Sequence, residues 1–208
     1  MRTVLVANRK GGVGKTMMAV TIASALANRG ERVALADADR QQSSMGWLNR
    51  RPITVSQLRG LNWSKTADIG DNPKTLDWLV IDAPGALKGS KAEALIAEAT
   101  AVLTPVQPSV FDENATRAFL SDIEDLKRVR KGKVGIHLVP NRIKPRSRAA
   151  HELENFLESV GYAPLTWITE RAIYGDLAAQ GLSIFDRKLA ALKPVKLQWD
   201  PIFSAIGA

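Results

Sequence analysis

Residues 3–28 read TVLVANRKGGVGKTMMAVTIASALAN: a short β-branched run, a turn with glycines and two lysines, and an alanine-rich stretch without a breaker. A chain that passes from strand to glycine turn to helix so quickly lays the helix against a sheet face, the start of a parallel β–α alternation. The rest of the sequence repeats the alternation. Short apolar runs predict strands at Thr3–Ala7, Arg32–Asp37, Leu76–Ile81, Ala101–Val106 and Val134–Val139. Helical spacing marks Lys15–Asn28 (closed by Gly30), Ser43–Arg50, Ser90–Ala99, Asn114–Arg130 and Arg148–Val160. Pro52–Asn72 is less regular, and Pro194 and Pro201 leave the last segment unassigned. The expected fold is α/β: one domain over residues 1–208, with a mainly parallel, twisted sheet and helices on both faces.

Such sheets bind ligands outside the carboxyl ends of their strands. The chemistry-bearing residues of this chain fall there. Lys10-Gly11-Gly12-Val13-Gly14-Lys15-Thr16 follows the first strand and opens a helix, the context of a phosphate loop. Glycines let backbone N–H groups face phosphate oxygens, and the helix start adds its positive dipole end. Lys15 is placed to reach the β- and γ-phosphates, and the Thr16 hydroxyl to ligate Mg2+. The next strand ends in ADADRQQSS. On extended chain Asp37 and Asp39 would point the same way, one holding a water on Mg2+ and the other orienting an attacking water. In LDWLVIDAPG, Asp82 ends a continuous apolar strand and suits a carboxylate that holds Mg2+ through water, while Asp77 reads as a surface residue at the strand start. Asn141, in VPNR just past a strand end, can pair with an adenine edge.

The loop departs from the common P-loop pattern, which wants glycine where Arg9 stands; Lys10 follows instead. KGGVGKT is the deviant Walker A motif, and the chain resembles the ParA/MinD family of P-loop ATPases, most closely the short, ParF-like partition type. The resemblance runs nearly the whole length, to the stretch Ile168–Asp186. It implies a P-loop NTPase fold, ATP and Mg2+ as cofactors, and ATP hydrolysis that is weak unless stimulated. It implies that Lys10 reaches across an ATP-dependent homodimer to the partner's phosphates, that Asp39 positions water and Asp37 supports the metal, and that Pro84 and Gly85 begin a γ-phosphate switch. Two positions differ from the family pattern. Arg40 replaces a proline, and Met17 replaces a threonine that can contact the α-phosphate, a loss of roughly 1 kcal/mol.

Composition separates the branches. With no cysteine there is no thiolate cluster, which excludes the iron-protein branch, and Tyr162 and Tyr174 are too few for a tyrosine-kinase tail. No leader and no apolar run long enough to span a bilayer is recognisable, so a cytoplasmic location is expected. The net charge of +8 points to an anionic partner. Lys127, Arg128, Arg130, Lys131, Lys133, Arg142, Lys144, Arg146 and Arg148 occur without an intervening acid and are expected to cluster on one part of the surface; Arg171 is a further candidate. Phosphate-backbone contact needs no base-reading helix, and no helix-turn-helix precedes the first strand, so non-specific, nucleoid-associated DNA binding is expected. By resemblance, a ParB-like or cargo-adaptor protein stimulates hydrolysis, and the cargo is a plasmid, a chromosome region or a protein cluster. The alternatives are a MinD-like membrane-surface ATPase, for which the tail LKPVKLQWDPIFSAIGA offers few cations, and an ATP-dependent metabolic synthetase.

Overall fold

Strands β1 (Arg2–Val6), β2 (Val33–Asp37), β4 (Trp78–Asp82) and β5 (Ala101–Val106) are buried almost throughout, as expected for parallel strands covered on both faces. The computed structural model describes residues 1–65, 75–85, 87 and 89–208; the part of Pro52–Asn72 from 66 onward lies outside the described residues. With β3 (Arg59–Asn62), β6 (Gly135–Ile143) and β7 (Ile168–Thr169), these strands form one sheet of order β3-β2-β4-β1-β5-β6-β7, parallel at every pairing. From β1 the chain builds outward to β3 on one side and to β7 on the other, so the crevice lies at the carboxyl end of β1. The register there sets Val6 and Asp37 both opposite Asp82.

Alternation along each strand divides the core into two layers. Val4, Val6 and Val80 face α1 (Lys15–Asn28) and the carboxyl-terminal segment; Leu5, Ala7, Leu79 and Ile81 face the opposite layer. That second layer comprises α3 (Gly89–Glu98), α4 (Val110–Glu124) and α6 (Arg148–Ser159), which bury Leu95, Phe119 and Leu153. Helix α1 is buried along most of its length, and its partners explain why. On its side lie α2 (Ser43–Asn49), α7 (Ala172–Ala178) and the unassigned tail, which forms α8 (Lys193–Leu197) and α9 (Asp200–Ile206). Pro194 and Pro201 fall in the first turns of these two helices, where a missing N–H costs nothing. Trp199, Ile202, Phe203 and Ile206 are buried in the core, so the tail's apolar face is already used. No helix among the described residues is long and apolar enough to cross a membrane.

Three expectations are corrected. The helix expected at Asn114–Arg130 is two helices, α4 and a short α5 (Lys127–Arg130), broken where Leu126 is extended. α4 also starts earlier, because the Ser109 hydroxyl caps the Asp112 N–H. β6 continues past Val139, so Asn141 lies inside a strand and not beyond one; pairing with β5 reaches Pro140, and β7 takes over at Asn141 with a bulge between Asn141 and Ile143. The basic run does not form one cluster. Lys127–Lys133 lie before β6 and Arg142–Arg148 at its far end, and the strand separates them by about 30 Å.

Candidate functional site

The loop after β1 is held from several sides. Asn8 is fully buried; its Nδ2 donates to the Pro105 carbonyl (2.9 Å) and Thr116 Oγ1 (3.0 Å), and its Oδ1 accepts the Lys10 N–H (3.1 Å). Gln107 Nε2 donates to the Gly12 carbonyl (3.1 Å), and Asn141 Nδ2 to the Val13 carbonyl (2.8 Å). Gly12 and Gly14 adopt positive φ, 80° and 97°. A Cβ on Gly14 would collide with the Asn141 amide, so glycine is required there on two counts.

Lys15 begins α1, buried, and its Nζ donates to the Lys10 carbonyl (2.8 Å), closing the loop on itself. Burial pulls its pKa below the ordinary lysine value, while Asp82 and Asp39 oppose the shift. Lys10 goes the other way. Its Nζ lies 5.9 Å from the ring centroid of Phe111, an exposed side chain in the first turn of α4. Lys15 lines the adjoining cavity of about 460 Å³; Lys10 does not. The same cavity is walled by Gly11, Gly12, Gly14, Thr16 and Asp39.

The carboxylates divide their work. Asp37 is fully buried, and its oxygens accept the Asp39 and Met45 N–H groups (both 3.0 Å), fixing the turn into α2. β2 ends at Asp37, so the extended chain expected to carry both carboxylates stops before Asp39. Asp39 instead closes its own turn, accepting the Gln41 N–H (3.0 Å), and reaches the Gly85 N–H (3.1 Å) beyond β4. Lys91 Nζ pins the same turn through the Ala38 carbonyl (3.0 Å). Asp82 is buried with both oxygens unpartnered among the described residues; the hydroxyls of Thr16 and Ser44 lie near it without closing a hydrogen bond. Burial pushes its pKa up to about 7; Thr16, Ser44 and Lys15 pull down and Asp37 adds to the rise. A buried open carboxylate beside a hydroxyl fits a hard cation that keeps most of its water. No all-protein cage of three or more His, Cys, Asp or Glu exists among the described residues. Asp77, half-buried just before β4, pairs with the exposed Arg32 (2.7 Å).

A second cavity, of about 390 Å³, adjoins the first and is walled by Asn141, Ile168, Arg171 and Tyr174 among others. Asn141 Oδ1 has no partner among the described residues. The sequence reading missed Asn8, Gln107, Lys91 and Arg50; only Arg50 lines the cavity directly, and none belongs to a motif. Of the basic candidates, Lys127, Arg130, Lys131 and Lys133 are exposed at the amino end of the sheet, whereas Arg128 is half-buried and donates to the Ala99 carbonyl (3.2 Å). At the carboxyl end, Lys144 and Arg148 make exposed pairs with Glu170 (3.5 Å) and Glu152 (2.8 Å), and Arg146 and Arg171 are exposed.

Known proteins resemble this chain in sequence and fold. The maintenance of carboxysome distribution protein A of Halothiobacillus neapolitanus is 31% identical over 188 residues, covering 88% of this chain and 86% of that protein. The chromosome-partitioning ATPase Soj of Thermus thermophilus is 28% identical over 158 residues, covering 61% of this chain and 63% of its own. A solved Cyanothece McdA–ATP complex superposes with a TM-score of 0.77 over 97% of this chain and 96% of that one, at 17% identity, so the fold is that of a ParA/MinD-type P-loop NTPase. The model of the CobQ/CobB/MinD/ParA nucleotide-binding domain matches residues 4–184, and the chain belongs to that family.

Proposed function

We propose that this protein is a ParA-type ATPase, a switch that ATP and Mg2+ convert into a sandwich homodimer able to hold DNA non-specifically and so position or segregate a cargo. The observation that carries this reading is the opposite disposition of two lysines on one loop. Lys15 is turned into the cavity side and Lys10 away from it, over an exposed phenylalanine. A cation turned from its own cavity is placed to serve a second subunit's phosphates, where it stabilises charge on a transferring phosphoryl group. In this reading Gly11–Thr16 hold the phosphates and Thr16 ligates Mg2+ directly. Asp82 and Asp37 hold it through water, and Asp39 orients the attacking water. The adenine occupies the second cavity, where Asn141 Oδ1 accepts from its exocyclic amine. Likeness to a carboxysome-distribution protein and to a partitioning ATPase supports positioning of a protein cluster or a replicon, with a ParB-like or adaptor protein stimulating hydrolysis on the nucleoid. The buried apolar face of the tail disfavours a membrane-surface role.

The test is DNA retention by the purified protein with Mg2+ and ATP, ADP or no nucleotide, across a salt series. Retention with ATP alone, independent of sequence and falling steeply with salt, is the expected result. No retention in any nucleotide state overturns the DNA part of the reading, and liposome co-sedimentation then decides for the membrane alternative.

A further inference from the structure

The two cavities share two wall residues, Met17 and Arg142. They therefore stand at the seam between the phosphate side and the side walled by Asn141. Met17 carries no donor to offer an anion. Arg142 does, and its geometry is unusual. It is an exposed residue at the end of β6, in the bulge where the strand changes partners, and its φ is 55°. A non-glycine residue in the left-handed region inside a strand is strained, and such strain persists where the surroundings enforce a particular side-chain direction. Its neighbour Asn141 supplies the enforcement, being buried and hydrogen-bonded to the Val13 carbonyl. Among the described residues no hydrogen bond or ion pair engages the Arg142 guanidinium, unlike Lys144 and Arg148, which have carboxylate partners.

We propose that Arg142 is a nucleotide ligand rather than a DNA contact: its guanidinium holds the α-phosphate at the seam and supplies the donor that Met17 lacks. The inference rests on the nucleotide reading of the two cavities. It removes Arg142 from the basic run and leaves Lys144, Arg146 and Arg148 as the anion-facing residues at that end of the sheet.

Calorimetric titration of ATP and ADP into wild type, Arg142→Ala, Arg142→Met, Arg142→Lys and Lys144→Ala tests it. A charge-assisted contact to a phosphate common to both nucleotides predicts that Arg142→Ala weakens ATP and ADP alike, by roughly tenfold or more. Arg142→Met, which keeps the length without the charge, should lose as much. Arg142→Lys should recover part of the loss, and Lys144→Ala should bind as wild type does. Unchanged affinity in Arg142→Ala overturns the proposal, as does a loss confined to ATP, which would mark a γ-phosphate contact. Retained affinity in Arg142→Met would place the side chain against the base and overturn the phosphate assignment. If wild type itself binds neither nucleotide, the functional reading fails before this inference is reached, so the two failures are told apart.

Discussion

Gly14 and Asn141 form one device although 127 positions separate them. The glycine's left-handed backbone brings the loop against the asparagine amide, and the amide in turn ties down Val13. Gly14→Ala therefore strains the backbone and displaces Asn141. An alanine in this region costs about 1–2 kcal/mol before the collision is counted. We expect a thermal midpoint lowered by about 4 °C or more in a calorimetric scan, with ATP binding lost in titration. The lysines separate differently. Lys10→Ala should bind ATP as wild type does and fail to dimerise, as read by light scattering on a sizing column; ATP-dependent dimers in that variant would refute the trans role. Asp39→Ala should still dimerise with ATP, with turnover reduced by about 10²–10⁴-fold, the usual worth of a positioned base. The motifs behind these proposed roles were visible in advance because each carries its own spacing. The supports were not. Asn8 and Gln107 act on the loop through contacts about a hundred residues apart in sequence, and a buried asparagine has no local signature.

At the scale of elements, the strands and helices legible in the sequence were those whose own pattern pays for their burial. β5 and the start of α6 fall where the apolar runs predict them. β3 went unread because its residues, RGLN, are half-exposed at the sheet edge and owe their conformation to pairing with β2. The tail's helices are hard to read in the sequence because proline breaks a helix everywhere except in the first turn, where Pro194 and Pro201 stand. Less legible still was the tie between the α2 exit and the carboxyl-terminal third. Arg51 and Asp186 form a fully buried ion pair (2.8 Å), joined by Ser24 and Asn28 from α1. Burial alone would raise the Asp186 pKa, but hydrogen bonds from Arg51, the Ser183 N–H, Asn28 and Ser24 outweigh it and hold the carboxyl below its ordinary 3.8. A carboxylate with a depressed folded pKa stabilises the fold above its unfolded pKa, and that stability is lost as pH falls through the folded value. Arg51→Met should cost about 3–5 kcal/mol at pH 7, because it strands a buried charge. The gap in urea midpoint between wild type and Asp186→Asn should be full at pH 7 and shrink below about pH 4. A gap independent of pH would mean that Asp186 contributes shape rather than charge.

At the scale of the whole molecule, continuity in sequence misled about continuity in space. The basic run reads as one patch because no acid interrupts it, yet β6 carries its two halves to opposite ends of the sheet. Of the two ends, the one at Arg142 adjoins the two cavities, and this gives the halves different expected behaviour. Lys144, Arg146 and Arg148 follow β6, whose end carries Asn141 and Arg142, so a change at the proposed nucleotide residues reaches them within a few residues of chain. Lys127, Arg130, Lys131 and Lys133 surround α5, about 30 Å away at the opposite end of β6. Replacing Lys144, Arg146 and Arg148 with alanine should therefore abolish the ATP-dependent part of DNA retention. It should also flatten the salt dependence by roughly one unit of log–log slope for each phosphate contact removed. Replacing the α5 cluster should weaken DNA binding by a similar factor in every nucleotide state, or leave it unchanged. Retention measured on both variants with ATP and with ADP decides the matter. If the α5 variant alone loses the ATP response, the switch acts across the full height of the sheet, and DNA lies on the end opposite the nucleotide.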